Sequence, residues 1–163
     1  MRSEIKILPI EKNISHQNFI KTLLHESWGS DIIISRGNLH NGLDLEGFIA
    51  VYENSFSGLV TYKIINDELE LISLNALRKN LGIGTELLNS VINMGKQQNC
   101  KRICLVTTND NLDAMRFYMR RNFKMIKVNP GAIVESRKLK PSIPLFGNYG
   151  IPISDEIEFE MMF

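Results

Sequence analysis

LISLNALRKNLGIGTELLNSV, residues 71–91, decides how the rest of this 163-residue chain is read. Its first half has the aliphatic character of a strand that ends near Leu74. Its second half opens a helical stripe in which Ile83, Leu87, Leu88, Val91 and Ile92 recur at three- and four-residue spacing. Between the two, Lys79-Asn80-Leu81-Gly82-Ile83-Gly84 leads straight from strand to helix. A helix start leaves backbone N–H groups without partners and carries a partial positive charge. Glycines at 82 and 84 let the backbone approach an anion, so the segment reads either as a pyrophosphate cradle or as a plain turn. Two other phosphate-loop patterns are excluded. No Gly-Lys-Ser/Thr follows, and Leu87 stands where the dinucleotide fingerprint needs its third glycine.

Upstream, residues 4–10 alternate as an edge strand. Ser15 reads as the N-cap of a helix that carries Phe19, Leu23 and Leu24 as far as Trp28-Gly29. Residues 31–46 read as irregular. Three strands follow, over Gly47–Glu53, Ser57–Ile65 and Glu68–Leu74, with turns at Asn54-Ser55 and Asn66-Asp67. In the third strand Glu68, Glu70, Ile72 and Leu74 share one face; the two glutamates do so if no bulge intervenes. Downstream, Arg102–Thr107 reads as a central strand, Asn109–Arg121 as a helix and Phe123–Val128 as a strand. A short helix comes next, and SDEIEFEMMF at 154–163 alternates as a last strand. Hairpins imply antiparallel pairing in the first half, and strand–helix–strand units imply parallel pairing in the second. A mixed α/β sheet with helices on both faces follows, in a single domain over residues 1–163.

A net charge of +1 supplies no field that would favour nucleic acid or an anionic membrane. No apolar run is long enough to span a bilayer or serve as a secretory leader, so a cytoplasmic protein is expected. Cys100 and Cys104, if on one strand, lie about 13 Å apart, too far for a mutual disulfide. No nearby histidine completes a metal site with them. His25-Glu26 lacks the second histidine of a zinc helix, so no metal is expected.

A second motif lies in TTNDNLDAMRFYMRRNF, residues 107–123. On a helix Asn111 and Tyr118 fall about 20° apart around the axis, with Ala114 beside them. That face presents either a binding surface or a packing stripe. Taken together, the two motifs resemble those of the GNAT superfamily of N-acetyltransferases. Its central pattern, Arg/Gln-x-x-Gly-x-Gly/Ala, is matched by Lys79 to Gly84, with Lys79 in place of Arg or Gln and Arg78 next to it. Its following helix, Asn-x-x-Ala-x-x-(Leu/Phe)-Tyr-x-x-x-Gly-Phe, is matched by Asn111, Ala114, Phe117, Tyr118 and Phe123. Asn122 replaces the usual glycine, a mild change because asparagine tolerates a left-handed helix end. The ending KPSIPLFGNYGIPISDEIEFE is similar to that of a bacterial subgroup.

The resemblance implies the GNAT fold, a mixed, mostly antiparallel central sheet of about seven strands flanked by helices. It implies acetyl-CoA as co-substrate, held between strands ending near Leu74 and Thr107. Leu74, Asn75 and Ala76 would bind the pantetheine, and Lys79, Asn80, Leu81, Gly82, Ile83, Gly84 and Thr85 the pyrophosphate. Asn111, Ala114 and Phe117 would line the arm, with Tyr118 as the acid for the thiolate or as a packing tyrosine. Glu70 is the preferred base, with Glu68 or a water chain as alternatives. Trp28, Arg36 and His40 are the candidates for substrate contacts. The acceptor implied is the amine of a small molecule; a protein or peptide amine, or a non-catalytic acyl-CoA sensor, are the other readings. Apolar alternation in the last strand would suit a homodimer edge.

Overall fold

Paired left-handed residues set the first reversals of the chain. The structure, a computed structural model describing residues 3–163, begins with strand β1 (Ile5–Pro9) and helix α1 (Ile14–Trp28). Asn13, not Ser15, caps α1: its side chain accepts from the His16 amide at 2.8 Å. Residues 31–46 are not irregular. They form a small hairpin, β2 (Ile32–Ser35) and β3 (Asn38–Asn41), turning on Arg36 and Gly37 at φ 52° and 76°. Two consecutive positive φ values match the twist of a tight hairpin. Arg-Gly hides that signal, because arginine rarely takes this conformation.

Strands β4 (Glu46–Tyr52), β5 (Ser55–Ile65) and β6 (Glu68–Ala76) follow. Glu53 and Asn54 (φ 50° and 60°) make the first turn between them, and Asn66 (φ 56°) lies in the second. Helix α2 (Ile83–Gln97) leads to β7 (Arg102–Thr108), then α3 (Leu112–Met119), β8 (Lys124–Asn129), α4 (Ala132–Leu139) and β9 (Glu156–Met162). Seven strands form one sheet in the order β1-β4-β5-β6-β7-β9-β8, with β1–β4, β4–β5, β5–β6 and β8–β9 antiparallel. Two expectations are corrected by this order. β7 and β8 are not a neighbouring pair, because β9 lies between them. For the same reason β9 is an interior strand and offers no dimer edge.

The backbone gathers into two compact units. The first comprises residues 3–33, 40–103 and 163. There α1 contributes Ile20, Leu23 and Leu24 to a core with Ile33, Ile49, Leu59 and Ile72. α2 covers the opposite face of the strands, since Gly58, next to Leu59, lies beneath Ile83 and Leu87. The second unit comprises Ile34–Leu39 and Cys104–Met162. Its buried apolar residues include Leu105, Met115, Tyr118, Phe123, Ile133, Ile157 and Phe159. Asn122 closes α3 at φ 68°, the left-handed position that its sequence context predicted.

The α2–β5 contact is unusually close. A Cβ on Gly58 would lie 2.8 Å from Ile83 Cγ2 and 2.9 Å from Leu87 Cδ1. Gly58→Val is therefore expected to reduce unfolding free energy by about 1–3 kcal/mol through overpacking, measured by denaturant titration. An unchanged midpoint would contradict this seating.

Candidate functional site

In the first unit the loop of residues 77–82 is exposed along its length. Asn80 takes φ 62° and Gly82 φ 84°, the left-handed region, and Gly82 is the N-cap of α2 with no side-chain capping bond. A Cβ at Gly82 would meet nothing within 4 Å, so the space before the helix is open. The first intrahelical bond runs from the Glu86 amide to the Gly82 carbonyl at 3.0 Å. First-turn amides upstream of it have no partner within the helix and sit at its positive end. Arg78 is committed elsewhere: its guanidinium bonds Glu53 at 2.7 Å and stacks 4.7 Å above the Tyr52 ring. Lys79 stands exposed beside it. A helix start behind a left-handed glycine, with an exposed lysine beside it, is a setting that a diphosphate fits.

β6 carries a bulge that moves one predicted residue. Tyr62 pairs with Leu71 and Thr61 with Ser73, so Ile72 is extra. Lys63 opposes Glu70, Thr61 opposes Ser73 at 2.6 Å between hydroxyls, and Leu59 opposes Asn75. Glu68, Glu70, Ser73 and Asn75 consequently share the α1 face with Ile72, while Leu74 turns to the other side. The expectation that Leu74 sits on the face of Glu70 is corrected, and the extra residue is the reason. Glu68 is fixed by Arg102, with bonds of 2.8 Å from Nε and 2.6 Å from Nη2. Asn75 donates to Ser27 at 3.2 Å, while its buried Oδ1 has no partner among the described residues. That orphaned acceptor next to the loop is a place for a ligand N–H.

The three predicted substrate residues part company. Trp28 is 39% exposed at the end of α1. His40 lies on β3, 8% exposed, with Nε2 buried and unpaired among the described residues. Burial first, and the charge of Lys63 second, hold its imidazole below the ordinary value, so it stays neutral. Arg36 belongs to the second unit, where its Nε lies 3.4 Å from Glu158 Oε1.

In that second unit the predicted helix starts later than expected, because Asn111 serves as its cap. Asn111 Oδ1 accepts from the Ala114 amide at 3.2 Å. Tyr118 is buried between Phe117 and Phe123, with ring centroids 5.2 Å and 5.4 Å away in edge-to-face contact. Burial pushes its phenol well above the ordinary tyrosine value. Asn109 and Asp110 tie the long β8–β9 connection to the start of α3. Asn109 Oδ1 accepts from Ser154 and Asp155 at 3.0 Å, and Asp110 Oδ2 accepts from the Asn148 amide at 2.8 Å.

Sequence reasoning missed a cavity of about 690 Å³ in this unit, lined by Arg36, β8, α4 and β9. Glu156 and Glu158 stand on its floor. The alternation of Glu156 and Glu158 with Ile157 and Phe159 was visible, but which face would be enclosed depends on the fold. Glu156 is 5% exposed. Burial, aided by Glu158, raises its carboxyl above the usual value against a lowering pull from Arg36.

Comparison with known proteins agrees with this fold. The profile of the Acetyltransferase (GNAT) family matches residues 16–123. The chain is 37% identical over 151 residues to the uncharacterized protein YdhI of Bacillus subtilis (strain 168), covering 92% of this chain and 94% of that one. It is 34% identical over 142 residues to the uncharacterized protein YxbD of the same organism, covering 86% and 89%. Among solved structures it is similar to a GNAT family acetyltransferase from Elizabethkingia anophelis with acetyl-CoA bound. That match has 18% identity, a TM-score of 0.74 and coverage of 98% of both chains. A Bacillus subtilis acetyltransferase in complex with CoA matches at 15% identity and TM-score 0.71, over 98% of this chain and 99% of that one. The chain belongs to the GNAT acetyltransferase family.

The raised Glu156 carboxyl has a consequence for stability. The folded state holds that proton more tightly than the unfolded chain, so stability falls as pH rises from the ordinary carboxylate value through the raised one. Glu156→Gln removes an ionisation that opposes folding at neutral pH. Its Tm at pH 7 is expected to exceed that of the wild type, with the gain shrinking towards pH 4. A lower Tm at pH 7 would show that the charged form supports the fold.

Proposed function

We propose that this acetyltransferase moves the acetyl group of acetyl-CoA to the primary amine of a small molecule. The open start of α2 behind the left-handed Gly82 carries the reading, because its N-cap makes no side-chain capping bond and the space before the helix is empty. Two structural neighbours hold acetyl-CoA and CoA respectively, which supports the same ligand here. Residues Leu81 to Thr85 would hold the pyrophosphate, assisted by Lys79 and Asn80. Leu74, Asn75 and Ala76 would meet the pantetheine arm, with Asn75 Oδ1 available to accept from it. Asn111, Ala114 and Phe117 would line the arm from α3.

The reaction is direct attack. A neutral amine nitrogen bonds to the thioester carbon, the C–S bond breaks, and the amine's proton leaves as the thiolate takes one up. The base is Glu70, on the face of β6 that carries Asn75 and nearer to the loop than Glu68, acting directly or through water. Tyr118 acts as a donor to sulfur. A thiol's ordinary pKa is about 8.5, and the Tyr118 phenol is held far above that. The tyrosine therefore stays protonated and stabilises the departing thiolate by a hydrogen bond while bulk solvent completes protonation. A small acceptor is favoured by the open cavity of about 690 Å³, a volume suited to a small ligand. Trp28, His40 and Arg36 remain the proposed acceptor contacts.

Two outcomes test this reading. Gly82→Glu should abolish the thermal stabilisation given by acetyl-CoA, about 2.7 kcal/mol at a hundred times Kd. Retained stabilisation would remove the phosphate-loop assignment. Tyr118→Phe should lower kcat by about a hundredfold, the low end of what losing one donor to a developing negative charge costs, with acetyl-CoA affinity intact. Normal turnover in a thiol-release assay would exclude it as the donor.

A further inference from the structure

The cavity of the second unit has a specific charge pattern. Glu156 and Asn129 are opposite each other in the β8–β9 ladder, as are Glu158 and Lys127. All four side chains therefore lie on one face and form the floor. Most of the charges lining the cavity are matched internally. Glu158 takes Arg36 Nε at 3.4 Å on one oxygen and Asn129 Nδ2 at 3.2 Å on the other. On α4, Glu135 holds Lys138 at 3.0 Å. Two charges are left over, the buried Glu156 and Lys127, which stands exposed on β8. Glu156 receives only the Arg36 backbone N–H, at 3.4 Å on Oε2. Its Oε1 takes no hydrogen bond, and the Lys127 ammonium makes no ion pair, among the described residues.

With one long donor from the protein, this carboxylate has room for a charge-assisted bond from a cationic ligand in the cavity. The two unmatched groups are diagonal neighbours in the ladder, about 7–8 Å apart at the backbone. An α-amino acid carries an ammonium and a carboxylate side by side, so two neighbouring side chains of opposite charge on one face can each give it a charge-assisted bond of about 2.8 Å. Ala132 and Leu139 on the α4 wall offer apolar surface to a side chain.

We infer that this cavity binds a small zwitterionic amino acid, its ammonium on Glu156 and its carboxylate on Lys127. That this amino acid is the acetyl acceptor rests on the function proposed above; the selectivity of the cavity does not.

The test is calorimetric titration of the intact chain with L-leucine and its two half-ligands, isoamylamine and isocaproate. L-leucine is expected to bind at least tenfold more tightly than either half. Glu156→Gln should weaken L-leucine at least tenfold, and Lys127→Met severalfold. Both variants should keep the wild-type response to acetyl-CoA, which also reports that they fold. No binding of L-leucine to the wild type, equal binding of the half-ligands, or unchanged affinity in both variants would overturn the inference. Loss of the acetyl-CoA response in the wild type, with L-leucine selectivity intact, would overturn the acetyltransferase reading and leave the cavity assignment standing.

Discussion

The seating of α2 on β5 is the constraint on which the first unit depends. Gly58 has no side chain, and this lets Ile83 and Leu87 come down onto the strand. Ile83 is the first residue of the helix, so the same contact fixes where its amino end points. The loop before it then has little freedom. Asn80 and Gly82 must take left-handed conformations to bring β6 round into α2, and the helix start is left uncapped. A binding feature thus follows from a packing requirement. The residues that turn the loop, Asn80 and Gly82, are chosen for backbone conformation rather than for side-chain chemistry, and Gly58 for the room it leaves.

The bulge at Ile72 is the second device. It lets β6 present glutamates and Asn75 on one face while Leu74 and Ala76 turn to the other. Without it, Glu70 and Asn75 would lie on opposite faces. In the second unit the comparable device is an anchor: Asn109 and Asp110 hold the β8–β9 connection by four strong hydrogen bonds from backbone or side-chain nitrogen. α4 is positioned within that connection, and its Gly131 amide bonds Asp155 at 2.9 Å. The cavity wall is therefore built on residues next to the helix that carries Tyr118.

Much of this was legible in the chain. The stripe from Ile83 to Gln97 reproduces α2 because an amphipathic helix writes its period directly into sequence. Asn122 at φ 68° follows from its place at a helix end. Other features were hidden for physical reasons. Asn13 and Ser15 are both good caps, and only the fold decides which is used. A bulge adds one residue to one strand and leaves no mark in a run as apolar as Leu71-Ile72. The insertion of β9 between β7 and β8 is a long-range pairing that local pattern does not encode. Glu156 was read as one of several alternating charges, since its burial is created by Arg36 and α4 from distant parts of the chain.

The central claim is that the start of α2 holds the diphosphate of acetyl-CoA. Amide hydrogen exchange, followed residue by residue with and without saturating acetyl-CoA, tests it most directly. The account predicts slowed exchange concentrated at residues 81–85, beyond any general stabilisation measured at Ile103 and Leu105 in the core. Exchange at 81–85 that is unchanged, or slowed no more than in the core, would contradict it.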